Sequence, residues 1–150
     1  SVLSGALERP LHGPLAAGRL AKLEVPNAQA VCGDGLALFS KWIPDASLAA
    51  VHVYFPDPWW KKRHRRRRVL NESFLKDVQR TLVPGGSLHF WTDVEEYFQS
   101  TLELIPQATT LTGPLDVAKR PPEHDLDYRT QFESRTRLHE LPAYRAEYRK

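Results

Sequence analysis

The middle of the chain reads Leu48-Ala49-Ala50-Val51-His52-Val53-Tyr54-Phe55 and continues directly into Pro56-Asp57-Pro58. The first eight residues are almost all apolar, and the second half of the run is rich in β-branched and aromatic side chains. Such a run is typical of a strand in a parallel sheet that is covered on both faces. The sequence therefore predicts a buried strand over 48–55 that ends next to a proline-flanked acid.

Strands and helices alternate on both sides of this run. Further apolar stretches predict strands at Val2–Leu7, Ala28–Cys32, Ser87–Thr92 and Ala108–Leu111, and a half-exposed terminal strand at Tyr144–Tyr148. Helical spacing predicts helices at Pro14–Leu23, at Leu36–Trp42, after a cap at Asn71, and at Val94–Ile105 before Pro106. Residues 55–68 and 113–127 are predicted loops. This alternation indicates an α/β fold with a mostly parallel sheet in one domain of 150 residues.

Four acids follow the ends of predicted strands: Glu8, Asp34, Asp57 and Asp93. In open α/β sheets, ligands bind beyond the carboxyl ends of the strands. A single acid at such a position is more often a helix cap or a turn residue. Four acids in the same topological place favour one shared pocket.

The basic charge of the chain is concentrated beside one of these acids. The run Lys61–Arg68 holds seven Lys or Arg in eight positions, and subtracting those seven from the net charge of +3 leaves −4. A solvated loop or a nuclear targeting signal could account for the basic run alone. Directly behind Pro56-Asp57-Pro58-Trp59-Trp60, however, the run indicates a phosphate-backbone contact next to a pocket for a base.

Composition excludes several other classes of protein. No stretch approaches the roughly 20 apolar residues of a membrane span. The single cysteine, Cys32, excludes an internal disulfide and a cysteine zinc cluster, and the six histidines have no close metal-ligand spacing. We therefore expect a cytoplasmic protein without a metal ion or a membrane partner.

Several motifs together resemble one family, the bacterial tRNA (guanine-N7-)-methyltransferases. They are the stretch from Phe55 to His64 with the arginines behind it, Pro84-Gly85-Gly86, Thr92-Asp93, and Thr130-Gln131-Phe132-Glu133. The resemblance extends from about Ala6 to Lys150. It implies a Rossmann-like class I methyltransferase sheet with an antiparallel C-terminal strand, S-adenosylmethionine as cofactor, and N7 of guanine 46 in the tRNA variable loop as the methylated atom. A monomer is expected.

The resemblance also implies roles for individual residues. Asp57 corresponds to the catalytic acid of the family. The implied cofactor-binding residues are Glu8, Asp34 and Asp57. The implied substrate-binding residues are Lys61, Asp93, Thr130, Gln131, Phe132 and Glu133. The implied RNA-binding residues are Arg63, His64, Arg65, Arg66, Arg67 and Arg68.

One part of the family pattern has no counterpart in these 150 residues. No Gly-x-Gly precedes Glu8, and Gly33-Asp34-Gly35 follows a different strand from the glycine-rich cofactor loop of the family. The chain also contains no Met and opens at Ser1. We therefore expect the C-terminal three-quarters of a longer enzyme, and weak or absent binding of S-adenosylmethionine by this stretch alone.

Two alternatives stay open from the sequence. Asp57-Pro58-Trp59-Trp60 is also similar to the Asp-Pro-Pro-Tyr/Trp loop of methyltransferases that act on exocyclic amino groups of nucleic acids. Identification of the methylated atom distinguishes this class from the guanine-N7 methyltransferases. The second alternative is a non-catalytic RNA-binding remnant, which an upstream glycine-rich loop would exclude.

Overall fold

The computed structural model describes residues 2–4, 18, 20–22, 26–116 and 143–150. The strands are β1 (Val2–Ser4), β2 (Ala28–Ala30), β3 (Leu48–Tyr54), β4 (Leu82–Thr92), β5 (Thr112–Leu115) and β6 (Tyr144–Arg149). The helices are α1 (Gly35–Lys41), α2 (Glu72–Thr81) and α3 (Glu95–Ala108), with a 3₁₀ helix at Lys62–Arg67. Most predicted elements are therefore present, but the predicted loop over 55–68 contains a helix.

The strands form two sheets. β1 pairs with β2 in parallel, and the second sheet has the order β3-β4-β6-β5. β3 and β4 are parallel, whereas β6 runs antiparallel to both β4 and β5. This arrangement confirms the predicted α/β class with its parallel core and antiparallel C-terminal strand.

The core lies between the four-stranded sheet and helices α2 and α3. Alternate residues of the two middle strands point into it, and each is at most 2% exposed: Leu88, Phe90, Ala146 and Tyr148. The facing helices contribute fully buried side chains at Leu75, Val78 and Ile105. The period of two along the strands and of three to four along the helices brings these residues to one interface.

The opposite face of this sheet is polar and aromatic. The rings of His52 and His89 stack at 4.5 Å on the adjacent strands β3 and β4, and the Arg145 guanidinium lies 4.3 Å from the centre of the Trp91 ring. Val51 is 5% exposed, whereas His52 is exposed. The prediction that this strand is covered on both faces is therefore wrong, because Ala49 and His52 are exposed. In the described part of the chain, β3 pairs with β4.

The end of helix α3 and the start of β5 differ from the sequence pattern. Helix α3 continues through Pro106 to Ala108, so the predicted strand over 108–111 is helix at its first residue, and β5 begins only at Thr112. A proline inside a helix removes one hydrogen bond. The last turn still closes, because the backbone N–H and the hydroxyl of Thr109 both donate to the Ile105 carbonyl, at 2.9 and 2.8 Å.

The Pro84-Gly85-Gly86 motif follows α2 and forms part of β4. The pairing of β3 with β4 shifts register between Leu48 and Ala50, opposite this motif. Gly85 has φ +79°, and a Cβ on Gly86 would lie 2.9 Å from the Val83 carbonyl oxygen. The motif therefore allows a bulge that brings the backbone close to its neighbour.

Candidate active site at the carboxyl edge of the sheet

The loops that follow β3 and β4 begin side by side. Tyr54 pairs with Trp91, and the Phe55 N–H donates to the Trp91 carbonyl at 2.8 Å. Asp57 and Asp93 follow this ladder within three residues, so both acids lie at the carboxyl edge, where the parallel strands β3 and β4 end. Asp57 is exposed and Asp93 is half-buried. The structure thus brings together two of the four acids singled out from the sequence.

Asp57 is held in a tight turn, which we call the Asp57 loop (residues 55–60). Its Oδ1 accepts a hydrogen bond from the Trp59 N–H at 3.0 Å. The backbone at Phe55 and Trp59 is left-handed, with φ of +47° and +46°. This conformation is unusual for aromatic residues and persists only where the surrounding contacts hold it.

The two tryptophans of this loop have different environments. Trp59 packs within the loop and its continuation, with the Arg67 guanidinium 5.2 Å from its ring centre and the His64 ring edge-on at 5.8 Å. Trp60 is 69% exposed. One face of the Trp59 ring is therefore occupied by Arg67, and Trp60 is the more accessible indole for stacking.

The basic run divides into two parts. The first part, which we call the basic segment (Lys61–Arg67), consists of the 3₁₀ helix and the residue before it. Its residues are exposed except for half-buried His64. A 3₁₀ helix has three residues per turn, so consecutive side chains point in different directions. Five of the six residues predicted to bind RNA, 63–67, belong to this surface.

Arg68 is directed toward α3 and is 6% exposed, whereas none of the five residues before it is buried. Its Nη2 donates to Glu96 Oε2 at 2.6 Å, and its Nε donates to the Pro58 carbonyl at 2.7 Å. The helix ends at Arg67, and an extended backbone at Arg68 turns the side chain inward. Its environment therefore differs from the surface position expected of an RNA-contacting residue.

Two side chains of α3 near Arg68 have shifted pKa values. Burial raises the pKa of Tyr97 to about 12, opposed by the Leu70 N–H and by Arg68, while the nearby Asp57 charge adds to the rise. Hydrogen bonding to Arg68 lowers the pKa of Glu96. Both shifts therefore arise on α3, at residues that contact the Arg68 guanidinium.

Sequence reasoning missed Glu96, Tyr97 and Ser100, which support the loop from α3. Glu96 has the ordinary signature of an acid in the first turn of a helix, where it would favour the helix dipole. No local pattern marks it as the partner of an arginine 28 residues earlier.

Asp34, the third described acid, caps α1. Its Oδ1 accepts hydrogen bonds from the N–H groups of Leu36 at 2.9 Å and Ala37 at 3.4 Å. Oδ2 makes no hydrogen bond within the described residues, and the side chain is exposed. Five predicted site residues lie outside the described part of the chain: Glu8, Thr130, Gln131, Phe132 and Glu133.

Two other features are absent from the described residues. None of the helices there is long and apolar enough to cross a membrane. No cluster of three or more His, Cys, Asp or Glu in these same ranges could hold a metal ion.

The α/β fold described above is similar to that of a solved methyltransferase. The aminoglycoside resistance methyltransferase NpmB1 shares the fold, with a TM-score of 0.55 and 19% identity over 96% of this chain and 72% of that chain. A family model described as "Putative methyltransferase" (Methyltransf_4) matches residues 15–146. The chain belongs to this methyltransferase family.

Two curated relatives that match most of this chain share one name. A tRNA (guanine-N(7)-)-methyltransferase of Rhodopirellula baltica is 52% identical over 141 residues, covering 90% of this chain and 52% of the relative. A protein of the same name from Ralstonia pickettii is 40% identical over 132 residues, covering 83% and 49%. These relatives confirm the predicted family resemblance, and the chain spans about half of their length.

Proposed function

We propose that the full-length protein is a tRNA (guanine-N7-)-methyltransferase that uses S-adenosylmethionine and acts on guanine 46 in the variable loop. The observation that carries this proposal is the position of Asp57 and Asp93 just beyond the carboxyl ends of the neighbouring parallel strands, with the exposed basic segment following Asp57 in the chain. The names of the similar proteins from Rhodopirellula baltica and Ralstonia pickettii support the same substrate. A tRNA substrate is consistent with reaction in the cytoplasm.

The geometry of Asp57 suits a guanine ligand. N7 of guanine is an acceptor with a free lone pair, so it needs no deprotonation before it attacks a methyl group. Alignment and electrostatic stabilisation then contribute most of the rate enhancement. The Trp59 N–H orients Oδ1 of Asp57, and Oδ2 makes no hydrogen bond within the described residues. This carboxylate can accept hydrogen bonds from guanine N1–H and the exocyclic amine and offset the positive charge that develops on the ring.

The basic segment provides the second half of the site. Its exposed guanidinium and ammonium groups fan out around the 3₁₀ helix, which suits contacts with several phosphates along a backbone. Lys61 directly follows the Asp57 loop and is exposed, and in this proposal it contacts both the base and its phosphate. Thr130, Gln131, Phe132 and Glu133 complete the substrate site in this proposal on the strength of the family motif.

Two described acids are available for the cofactor. S-adenosylmethionine supplies a methyl group on a positively charged sulfonium. Asp34 follows β2 and has an exposed carboxylate whose Oδ2 can accept a hydrogen bond from the adenine amine, and Asp57 follows the end of β3. Glu8 would hold the ribose hydroxyls by the family pattern. No metal ion takes part in this proposal.

The test is methylation of unmodified tRNA by the full-length protein with radiolabelled methyl donor, followed by nucleoside analysis. The proposal expects labelled N7-methylguanosine, and its loss when guanine 46 is replaced. Asp57→Asn is the matched variant, since it keeps the shape of the side chain and removes its charge. Label on an exocyclic amine would assign the protein to the amino-group methyltransferases. Binding of tRNA without transfer of label by wild-type protein would indicate an RNA-binding module.

A further inference from the structure

We propose that Arg68 is a positioning residue that holds the Asp57 loop in its productive shape and makes no contact with RNA. The inference rests on the proposed function for its catalytic consequence. Its structural part, the anchoring of the loop, can be tested without any methylation assay.

The first observation is that the Arg68 guanidinium is already occupied by protein groups. Nε donates to the Pro58 carbonyl at 2.7 Å. Nη2 donates to Glu96 Oε2 at 2.6 Å, and Nη1 donates to Glu96 Oε1 at 3.4 Å and to Ser100 Oγ at 3.3 Å. All three guanidinium nitrogens are therefore committed.

The second observation is the packing of the same group. The Arg68 guanidinium lies 4.4 Å from the centre of the buried Tyr97 ring, and its side chain is only 8% exposed. Arg65, by contrast, reaches the same Glu96 at 3.3 Å but is 42% exposed. A phosphate could bind Arg68 only after the arginine had left a bidentate carboxylate and an aromatic face, which charge-assisted bonding makes unfavourable.

The third observation connects this anchor to Asp57. Pro58 is the residue between Asp57 and Trp59, and Asp57 Oδ1 accepts its hydrogen bond from the Trp59 N–H. The bond from Arg68 fixes the Pro58 carbonyl and so the plane of the peptide that leads into Trp59. That peptide precedes a left-handed aromatic residue, which needs such external support. Arg68 thus connects the turn to α3 through Glu96.

Hydrogen exchange of the Trp59 amide in the full-length protein tests the anchor. In Arg68→Ala we expect this amide to exchange at least about tenfold faster than in wild type, while buried amides of β4, such as that of Phe90, keep their rates. Unchanged exchange at Trp59 would overturn the inference.

Two arginine variants serve as matched controls. Arg65→Ala removes an ion pair with the same Glu96 but leaves the Pro58 bond, so Trp59 should exchange as in wild type. Arg80→Ala removes an arginine that donates to the Phe39 and Ile43 carbonyls at the other end of the sheet, so it reproduces the loss of a bridging guanidinium away from the loop. Faster exchange at Trp59 in either control would also overturn the inference, because it would show a general loss of stability.

A milder change keeps the inference testable if Arg68→Ala does not fold. Glu96→Gln retains the shape of the partner and removes the charge that orients Arg68. We expect it to raise Trp59 exchange by a smaller factor of about two to five, and wild-type exchange in this folded variant would count against the anchor. Arg68→Lys should lie between wild type and Arg68→Ala, since an ammonium lacks the planar fork that reaches Pro58 and Glu96 together.

The catalytic consequence is measured separately in the full-length protein. Arg68→Ala should lower the single-turnover methylation rate at saturating tRNA by about ten- to a hundredfold, with the Kd for tRNA within twofold and its salt dependence unchanged. A changed salt slope would show that Arg68 contacts phosphate and would overturn the inference. Failure of the wild-type protein to methylate tRNA would refute the proposed function instead, while the exchange result would still decide whether Arg68 anchors the loop.

Discussion

The basic segment Lys61–Arg67 and the anchored turn at Pro58–Trp59 are neighbours in sequence, but different interactions hold them. The basic segment exposes its charges around a 3₁₀ helix, and only Arg65 makes an ion pair with a carboxylate, Glu96, in the described part of the chain. The turn is held from beneath by Arg68, whose guanidinium bridges the Pro58 carbonyl and Glu96. The contrast between Arg65 and Arg68 teaches that charge density in a sequence does not give the role of each charge. Burial decides which arginine can reach a phosphate.

The largest effect on the methylation rate should come from a change in the Asp57 loop. Replacing Asp57 by Ala in the full-length protein should lower the single-turnover rate at saturating tRNA by about 10²- to 10³-fold, the usual cost of losing one preorganised electrostatic group. Affinity for tRNA should stay within a few-fold, because one interaction with a base is small beside many with phosphates. Rapid-quench methylation together with a binding titration measures both quantities. A normal rate in Asp57→Ala would show that the carboxyl edge near Asp57 is not the active site.

The basic segment should show the opposite pattern. Replacing Arg65, Arg66 and Arg67 by Gln should weaken tRNA binding and flatten the slope of log affinity against log salt by about 0.7–0.9 for each phosphate that the protein no longer neutralises. The single-turnover rate at saturating tRNA should fall much less than in Asp57→Ala. Filter binding across a salt series provides the slope. An unchanged slope would remove the basic segment from the RNA interface.

Acid should remove the stabilisation that comes from the ion pair between Arg68 and Glu96. Arg68 lowers the pKa of Glu96 in the folded state, so the stabilisation is complete at pH values above the ordinary carboxyl range and is lost as pH falls through the lowered pKa. Because the Glu96 side chain is 45% exposed, the effect on global stability should be small. Thermal melts from about pH 6 down to about pH 3 should show wild type losing its advantage over Glu96→Gln at the acidic end, below the ordinary carboxyl pKa. A difference in melting temperature between wild type and Glu96→Gln that stays constant across this pH range would contradict a stabilising ion pair.

A similarly modest effect on stability should come from the cap of α2. Asn71 Oδ1 accepts from the Phe74 N–H at 2.9 Å, and its Nδ2 donates to the Arg68 carbonyl at 3.2 Å. Asn71→Ala should cost about 1 kcal/mol of unfolding free energy, as the loss of a helix cap does. Urea unfolding of Asn71→Ala and Asn71→Asp separates the contributions of the two hydrogen bonds to stability. The Asp side chain can still accept from the Phe74 N–H, but it cannot donate to the Arg68 carbonyl. If Asn71→Asp is as unstable as Asn71→Ala, the lost stability comes from the hydrogen bond to the Arg68 carbonyl and not from the cap.

Local patterns predicted much of the fold. The cap at Asn71, the apolar run over β3 and the alternation of Tyr144, Ala146 and Tyr148 each identified an element that is present. The failures occur where distant contacts outweigh a local preference. Pro106 lies inside α3, where the fully buried Ile105 packs into the core and Thr109 closes the last turn. The apolar run of β3 predicted burial on both faces, but His52 is exposed and stacks on His89 of β4.

By itself, the sequence determined the α/β class, the family resemblance and the placing of Asp57 and the basic run beside each other. Periodicity, turn residues and adjacent charges are local properties, so they can be inferred from the order of residues alone. Only the tertiary structure decided that Arg68 is buried, unlike the rest of the basic run, and donates hydrogen bonds to Glu96 and Ser100. These two residues lie 28 and 32 positions further along the chain. That choice depends on which side chains the packing of α3 beneath the Asp57 loop buries together, and this information is not contained in any single stretch of sequence.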